Sequence, residues 1–191
     1  MNAKSVILIL ILSCSAALGL YACARKSSRQ VAAAEPAKMI VCYFSATGTT
    51  ADAAGRIARI AGAALHEIIP ETRYSDDDLD WRDSLSRSYV EMHDRSFRPR
   101  IVDSIPDMAD YDIVFIGYPN WWNTAPTVIN TFIESNNLGG KTIVPFMTSG
   151  GSNITNSEKE LREAYPDLKF AKGMLMNGVT DDEIEDWIEN L

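Results

Sequence analysis

The sequence predicts a doubly wound α/β fold: a three-layer α/β/α sandwich around a five-stranded parallel sheet in the order 2-1-3-4-5. Three observations predict it. From residue 39 onward, strand and helix signals alternate. The strand segments are near-continuous apolar runs, which marks strands covered on both faces. The most unusual compositions, "SATGTT", "NWWNTA" and "TSGGSN", follow the first, third and fourth strands. In such sheets ligands bind beyond the strand C-termini, where the strand order reverses, so composition and topology agree.

Each element has its own signal. "MIVCYF" (39–44) is a short apolar run bounded by turn residues, a buried strand. "TTADAAGRIARIAGAAL" carries Ile57, Ile60, Ala61, Ala64 and Leu65 at helical spacing, with Thr49 or Thr50 as the expected cap. "HEIIP" (66–70) reads as the second strand and "YDIVFIGYP" (111–119) as the third. "APTVINTFIESN" is helical, with Pro126 expected in the first turn, where its missing N–H costs nothing. "KTIVPFMTSG" is the fourth strand and "TNSEKELREAY" a helix capped by Thr155 or Asn156. "LKFAKGMLMNG" is a less regular fifth strand. The last helix, "TDDEIEDWIENL", opens with Thr180 and Glu183 in capping-box spacing. Residues 71–104 interrupt the alternation as a long charged crossover, with a helix expected from about Trp81 to Met92. The crossover is either a solvated excursion or a flap near the ligand. Arg87 and Glu91, at i and i+4, read as a surface ion pair with no catalytic role.

Three segments divide the chain: 1–22, 23–37 and 38–191. Lys4 followed by "SVILILILSCSAALGLYAC" is a positive start and an apolar stretch, the pattern of an export signal. Leu20, Ala22 and Cys23 resemble a bacterial lipobox, which would make Cys23 a lipidation site. Ala22-Cys23-Ala24 also reads as an ordinary cleavage site, and an uncleaved membrane anchor is the third reading. Residues 23–37 are a polar, alanine-rich linker. The expected location is therefore outside the cytoplasm, at a bacterial cell envelope, with membrane contact only through an N-terminal lipid anchor. The net charge of −8, with no basic run longer than Arg25-Lys26, argues against nucleic acid. Cys42 falls within an apolar strand and reads as a buried thiol. His66 and His93 have no neighbouring ligands in the sequence, so a metal site is not expected.

The first loop is Ser45-Ala46-Thr47-Gly48-Thr49-Thr50. A helix start offers free N–H groups and a favourable dipole to a phosphate. The hydroxyls add donors, and Gly48 lets the backbone turn tightly. GxGxxG and GxxxxGK are absent, and no Cys or Asp nucleophile stands here. A receiver domain would need an acidic residue after the third strand, where Pro119 and Asn120 stand. The loop therefore reads as one that holds a phosphate without transferring it.

"SATGTT" matches [ST]xTGxT, and with this motif, the element order and the next loop, residues 39–191 resemble the flavodoxin family. Arg87 to Ile101 resembles a branch with an extended second crossover. The resemblance implies FMN as cofactor, its phosphate held by residues 45–50. It further implies that Pro119, Asn120, Trp121, Trp122 and Asn123 line the flavin ring. One indole would stack and the other pack, with Trp122 the favoured stacker. Thr148, Ser149, Gly150 and Gly151 would meet the pyrimidine side. Flavodoxins often carry Gly in the second loop, allowing a peptide flip that favours the one-electron-reduced ring. Asn120 and Asn123 turn less freely, so weaker stabilisation of that state is expected.

These features imply an FMN-binding protein acting in electron transfer, with redox partner proteins or a small acceptor such as a quinone. A reductase using NAD(P)H is the neighbouring reading. A non-redox binding module is the reading from another class: without a twin-arginine signal the chain is exported unfolded and must acquire FMN outside.

Overall fold

The computed structural model describes residues 36–102, 105 and 107–191. The expected export signal, Cys23 and the linker up to residue 35 lie outside the described residues.

The elements run in the order β1 (Met39–Tyr43), α1 (Thr49–Ala61), β2 (Ala64–Glu67), α2 (Arg87–His93), β3 (Ile113–Pro119), α3 (Thr127–Ser135), β4 (Thr142–Thr148), α4 (Thr155–Ala164), β5 (Lys169–Phe170), β6 (Met174–Leu175) and α5 (Asp181–Glu189). The strands pair in parallel in the order β2-β1-β3-β4-β5, the expected topology. The fifth position is shared by two short strands, since β6 also pairs with β4. Glycine explains part of this break: a side chain at Gly173 would meet the Pro145 carbonyl oxygen at 2.6 Å.

Period-two alternation divides the strands between two cores. Ile40, Cys42, Val114, Ile116, Tyr118, Ile143 and Met147 face one core with α3 residues Val128, Ile129 and Phe132. Val41, Phe115, Val144 and Phe146 face the other with Ala54 and Ile57 of α1 and Ile184 and Trp187 of α5. Gly117 pairs with Phe146 across β3 and β4, and a Cβ there would fall 2.1 Å from the Phe146 ring. The Cys42 thiol is fully buried, and that burial pushes its pKa far up, so it is an inert part of the core.

Several local expectations shift. α1 ends at Ala61, stopped by Gly62 in the left-handed region, so Ala64 and Leu65 belong to β2 and not to the helix, and β2 begins two residues before the expected strand. Ile68 continues it as a buried extension whose N–H donates to the Tyr43 carbonyl at 2.7 Å. The crossover helix covers only Arg87–His93. Ahead of it, Asp80 and Asp83 accept from the amides of Arg82 and Leu85, and such side-chain turns compete with helix. Ser86 then caps α2 by accepting from Tyr89 N–H. Gly48, not Thr49 or Thr50, is the N-cap of α1, and Pro126 is the N-cap of α3 rather than part of its first turn. Ile154 stands at the N-cap of α4, with Asn153 Oδ1 accepting from Thr155 N–H at 3.1 Å. The capping box of α5 forms as expected.

Candidate functional site

The first loop leaves β1 at Phe44 and enters α1 through Gly48, whose φ of 93° is a left-handed value that favours glycine. Ser45 turns inward, its Oγ accepting from Gly48 N–H at 3.1 Å. Thr50 is buried and its Oγ1 pairs with Thr148 Oγ1 at 2.8 Å, which ties the first loop to the end of β4. Thr47 and Thr49 are exposed. The N–H groups of Ala46, Thr47, Thr49 and Thr50 meet no acceptor among the described residues. Four free amides at the head of a thirteen-residue helix form an anion cradle.

The second loop is a tight hairpin. Trp121 and Thr124 exchange both backbone hydrogen bonds, at 3.1 and 3.0 Å. Between them Trp122 has φ 47° and Asn123 φ 64°, the two positive values of a type I′ turn. That turn favours Asn-Gly, so a tryptophan at its first corner is strained. The loop is held from several sides. Asn120 N–H donates to the Thr148 carbonyl at 2.8 Å, and Asn156 Nδ2 to the Asn123 carbonyl at 2.9 Å. The two indoles part company. Trp121 is half-buried, edge-on to Phe44 and Tyr74 at 5.6 and 5.2 Å between centroids. Trp122 is 37% exposed. Its ring stands edge-on to Tyr89 and His93, which stack on each other at 3.7 Å.

A cleft of about 350 Å³ joins these loops, lined by Ala46 and Thr47 on one side and Pro119, Asn120, Trp121 and Trp122 on another. Its size and apolar, aromatic lining suit a small planar ligand. The third loop, expected at the same ligand, does not line this cleft and is tied to it through the Thr148 carbonyl, which accepts from Asn120 N–H. Thr148 is turned inward to Thr50, while Ser149, Gly150 and Gly151 line an adjacent hollow of about 350 Å³ with Leu175 and Asn177. Asn177 braces this loop through both Ser149 N–H and the Ser149 carbonyl, each at 2.8 Å.

A family model described as Flavodoxin matches residues 38–191. The chain belongs to the flavodoxin family. A candidate flavoprotein from Bacteroides eggerthii is 48% identical, with a TM-score of 0.80 over 81% of this chain and 98% of its own. A second, from Bacteroides uniformis, is also 48% identical, with a TM-score of 0.78 over 81% and 99%. A flavoprotein from Lactobacillus acidophilus, solved in complex with FMN, shares the fold at 24% identity and a TM-score of 0.63, over 80% and 99%. No curated protein matches.

In this flavodoxin-family chain the crossover supplies the remaining wall of the cleft through Leu79, Trp81 and Ser88. Sequence reasoning did not single these out. The available signal was isolated apolar residues in an acidic run, "DDDLDWRDSL". The Arg87–Glu91 pair, expected at the surface, is instead a buried element. Glu91 is 3% exposed and accepts from Arg87 Nε at 2.6 Å and from the Tyr74 hydroxyl. The Arg87 guanidinium lies over the Tyr74 ring at 3.9 Å and donates to the Thr72 carbonyl. Burial first, then the Glu91 carboxylate, push the Tyr74 phenol far up, so it stays a donor. This network presses Tyr74 against Phe44 and Trp121, and so fixes the floor of the cleft.

The residues present fit FMN. The cradle offers unpaired donors to a phosphate, the cleft offers aromatic faces to a ring, and two buried polar atoms on the cleft, Ser88 Oγ and Asn120 Oδ1, have no partner among the described residues.

Proposed function

We propose that this chain is an FMN-binding flavoprotein that carries electrons at the cell envelope. The observation that carries the reading is the continuity between the free-amide loop at the head of α1 and the tryptophan-lined cleft. One end suits a phosphate and the other a flat heteroaromatic ring. FMN, when bound, supplies transfer of one or two electrons. The amides of Ala46, Thr47, Thr49 and Thr50 would hold its phosphate, and the exposed Thr47 and Thr49 hydroxyls could add donors. Trp121 forms the packed floor. Trp122, partly exposed on a constrained turn, is the candidate stacking face.

The cleft lining contains no Lys or Arg, and nearby Arg87 is paired with Glu91. A negative charge on a reduced ring would meet no cation in the lining itself, the nearest unpaired one among the described residues being Arg82 on the Trp81 ring, and this favours a low reduction potential. Exposed Trp81 and Leu85 beside the cleft offer apolar surface to a redox partner protein or a small acceptor such as a quinone.

The test begins with the protein recovered from the cell envelope. A yellow preparation with the flavin absorption bands, or a colourless one that takes up added FMN, is the expected result. Colourless protein that takes up no FMN rejects the redox reading and leaves a non-redox binding module. Oxidation of NAD(P)H with a quinone acceptor would then mark a reductase; its absence marks a carrier that depends on protein partners.

A further inference from the structure

The crossover contributes one polar group to the cleft that its own architecture does not explain. Ser88 is 2% exposed, lies in α2 and lines the cleft beside Asn120 and Trp122. Its Oγ meets no hydrogen-bond partner among the described residues. Ser88 stands at the second position of α2, where the helix has no carbonyl one turn earlier for its hydroxyl to reach. The surrounding polar groups are engaged elsewhere: Glu91 with Arg87 and Tyr74, and Ser86 with the Tyr89 amide. A buried hydroxyl left without a partner is destabilising, and natural proteins rarely keep one for packing alone.

We propose that Ser88 contacts the cofactor: its hydroxyl donates a hydrogen bond to a carbonyl oxygen or ring nitrogen of the flavin. This rests on the FMN reading above. It makes the crossover part of the cofactor site, beyond the three loops at the ends of β1, β3 and β4. Asn120 Oδ1, the other unpartnered atom on this cleft, supplies an acceptor where Ser88 supplies a donor. A flat ring bearing both acceptors and an N–H matches that pair.

The full-length chain, stripped of flavin, provides the test. FMN and riboflavin are each titrated against wild type, Ser88→Ala and Thr47→Val, and the visible spectrum of each complex is recorded. Ser88→Ala is expected to weaken both flavins by a similar factor, about tenfold. It should also shift the absorption band of the bound ring. Thr47→Val should weaken FMN and leave riboflavin unchanged, because riboflavin has no phosphate. The melting temperature of flavin-free Ser88→Ala should hold or rise, since the variant removes an unsatisfied buried hydroxyl.

Equal FMN affinity and an unshifted spectrum in Ser88→Ala would overturn the inference and leave the cofactor assignment standing. A loss confined to FMN would also overturn it, by moving the contact to the phosphate end. So would a flavin-free variant that melts well below wild type, which would give Ser88 a structural role. A wild-type chain that takes up neither flavin would remove both this inference and the proposed function.

Discussion

The two walls of the cleft are built in opposite ways. Residues 45–50 keep four amides unpaired and two threonine hydroxyls in solvent, with the Ser45–Gly48 and Thr50–Thr148 contacts fixing the loop. The crossover engages most of its charges, some within itself and some with its neighbours, as Arg98 does with Glu134 of α3. Arg87, Glu91 and Tyr74 satisfy one another, and Asp78, Asp80 and Asp83 hold nearby amides. A loop with spare donors is suited to receive a ligand, and a segment without them to keep a shape. Ser88, buried without a partner among the described residues, lies where the two walls meet the same cleft.

The sharpest way to break this contrast is to open the crossover. Glu91→Ala leaves Arg87 half-buried without its carboxylate and is expected to destabilise the domain by about 3 kcal/mol in urea denaturation. A loss under about 1 kcal/mol would mean that the crossover is not held by this network. Trp122→Gly comes next and should act in opposite directions. Glycine accepts the left-handed turn, so stability should hold or rise by about 1 kcal/mol. FMN affinity should fall about tenfold with the loss of an aromatic face. A Trp122→Gly variant with wild-type affinity would show that this indole does not stack on the ring.

Within the phosphate loop, two threonines should separate. Thr50→Val removes a buried hydrogen bond to Thr148 and should cost about 1 kcal/mol of stability. Thr47→Val, on the exposed side, should leave stability unchanged and weaken FMN several-fold, read by flavin fluorescence. Unchanged affinity in both variants would mean that this loop is not the phosphate site.

The smallest expected effect lies far from the cleft, where Arg56 and Arg59 hold the Asp181 carboxyl below its ordinary range. A carboxylate with a depressed native pKa contributes stability that is fully present above its unfolded value, near 4, and is lost as pH falls through the lower native value. Melting temperature should therefore drop below about pH 4, slightly less steeply in Asp181→Asn. An unchanged slope in that variant would show that this exposed pair adds nothing measurable.

The sheet order was legible because unbroken apolar strands and alternating helices leave few arrangements open. The cradle was legible because "SATGTT" combines hydroxyls and glycine with a helix start. The crossover was not. Its helix is shortened by aspartates and a serine that capture backbone amides, and local spacing alone could not decide that competition. Whether Glu91 is buried depends on Tyr74, seventeen residues away in sequence, so the i, i+4 spacing with Arg87 carried no hint of it. The exchange of caps at α1 follows from Gly48, whose left-handed backbone ends the loop one residue earlier than a threonine cap would.

The placement of the aromatic residues has an optical consequence. Of the four tryptophans, Trp81, Trp121 and Trp122 line the cleft, while Trp187 lies in the other core, edge-on to Phe115. A bound flavin absorbs where indole emits, so a ring in the cleft would quench the three nearby emitters most strongly. The chain thus carries a built-in gauge of its own occupancy, with Trp187 as the less quenched internal reference.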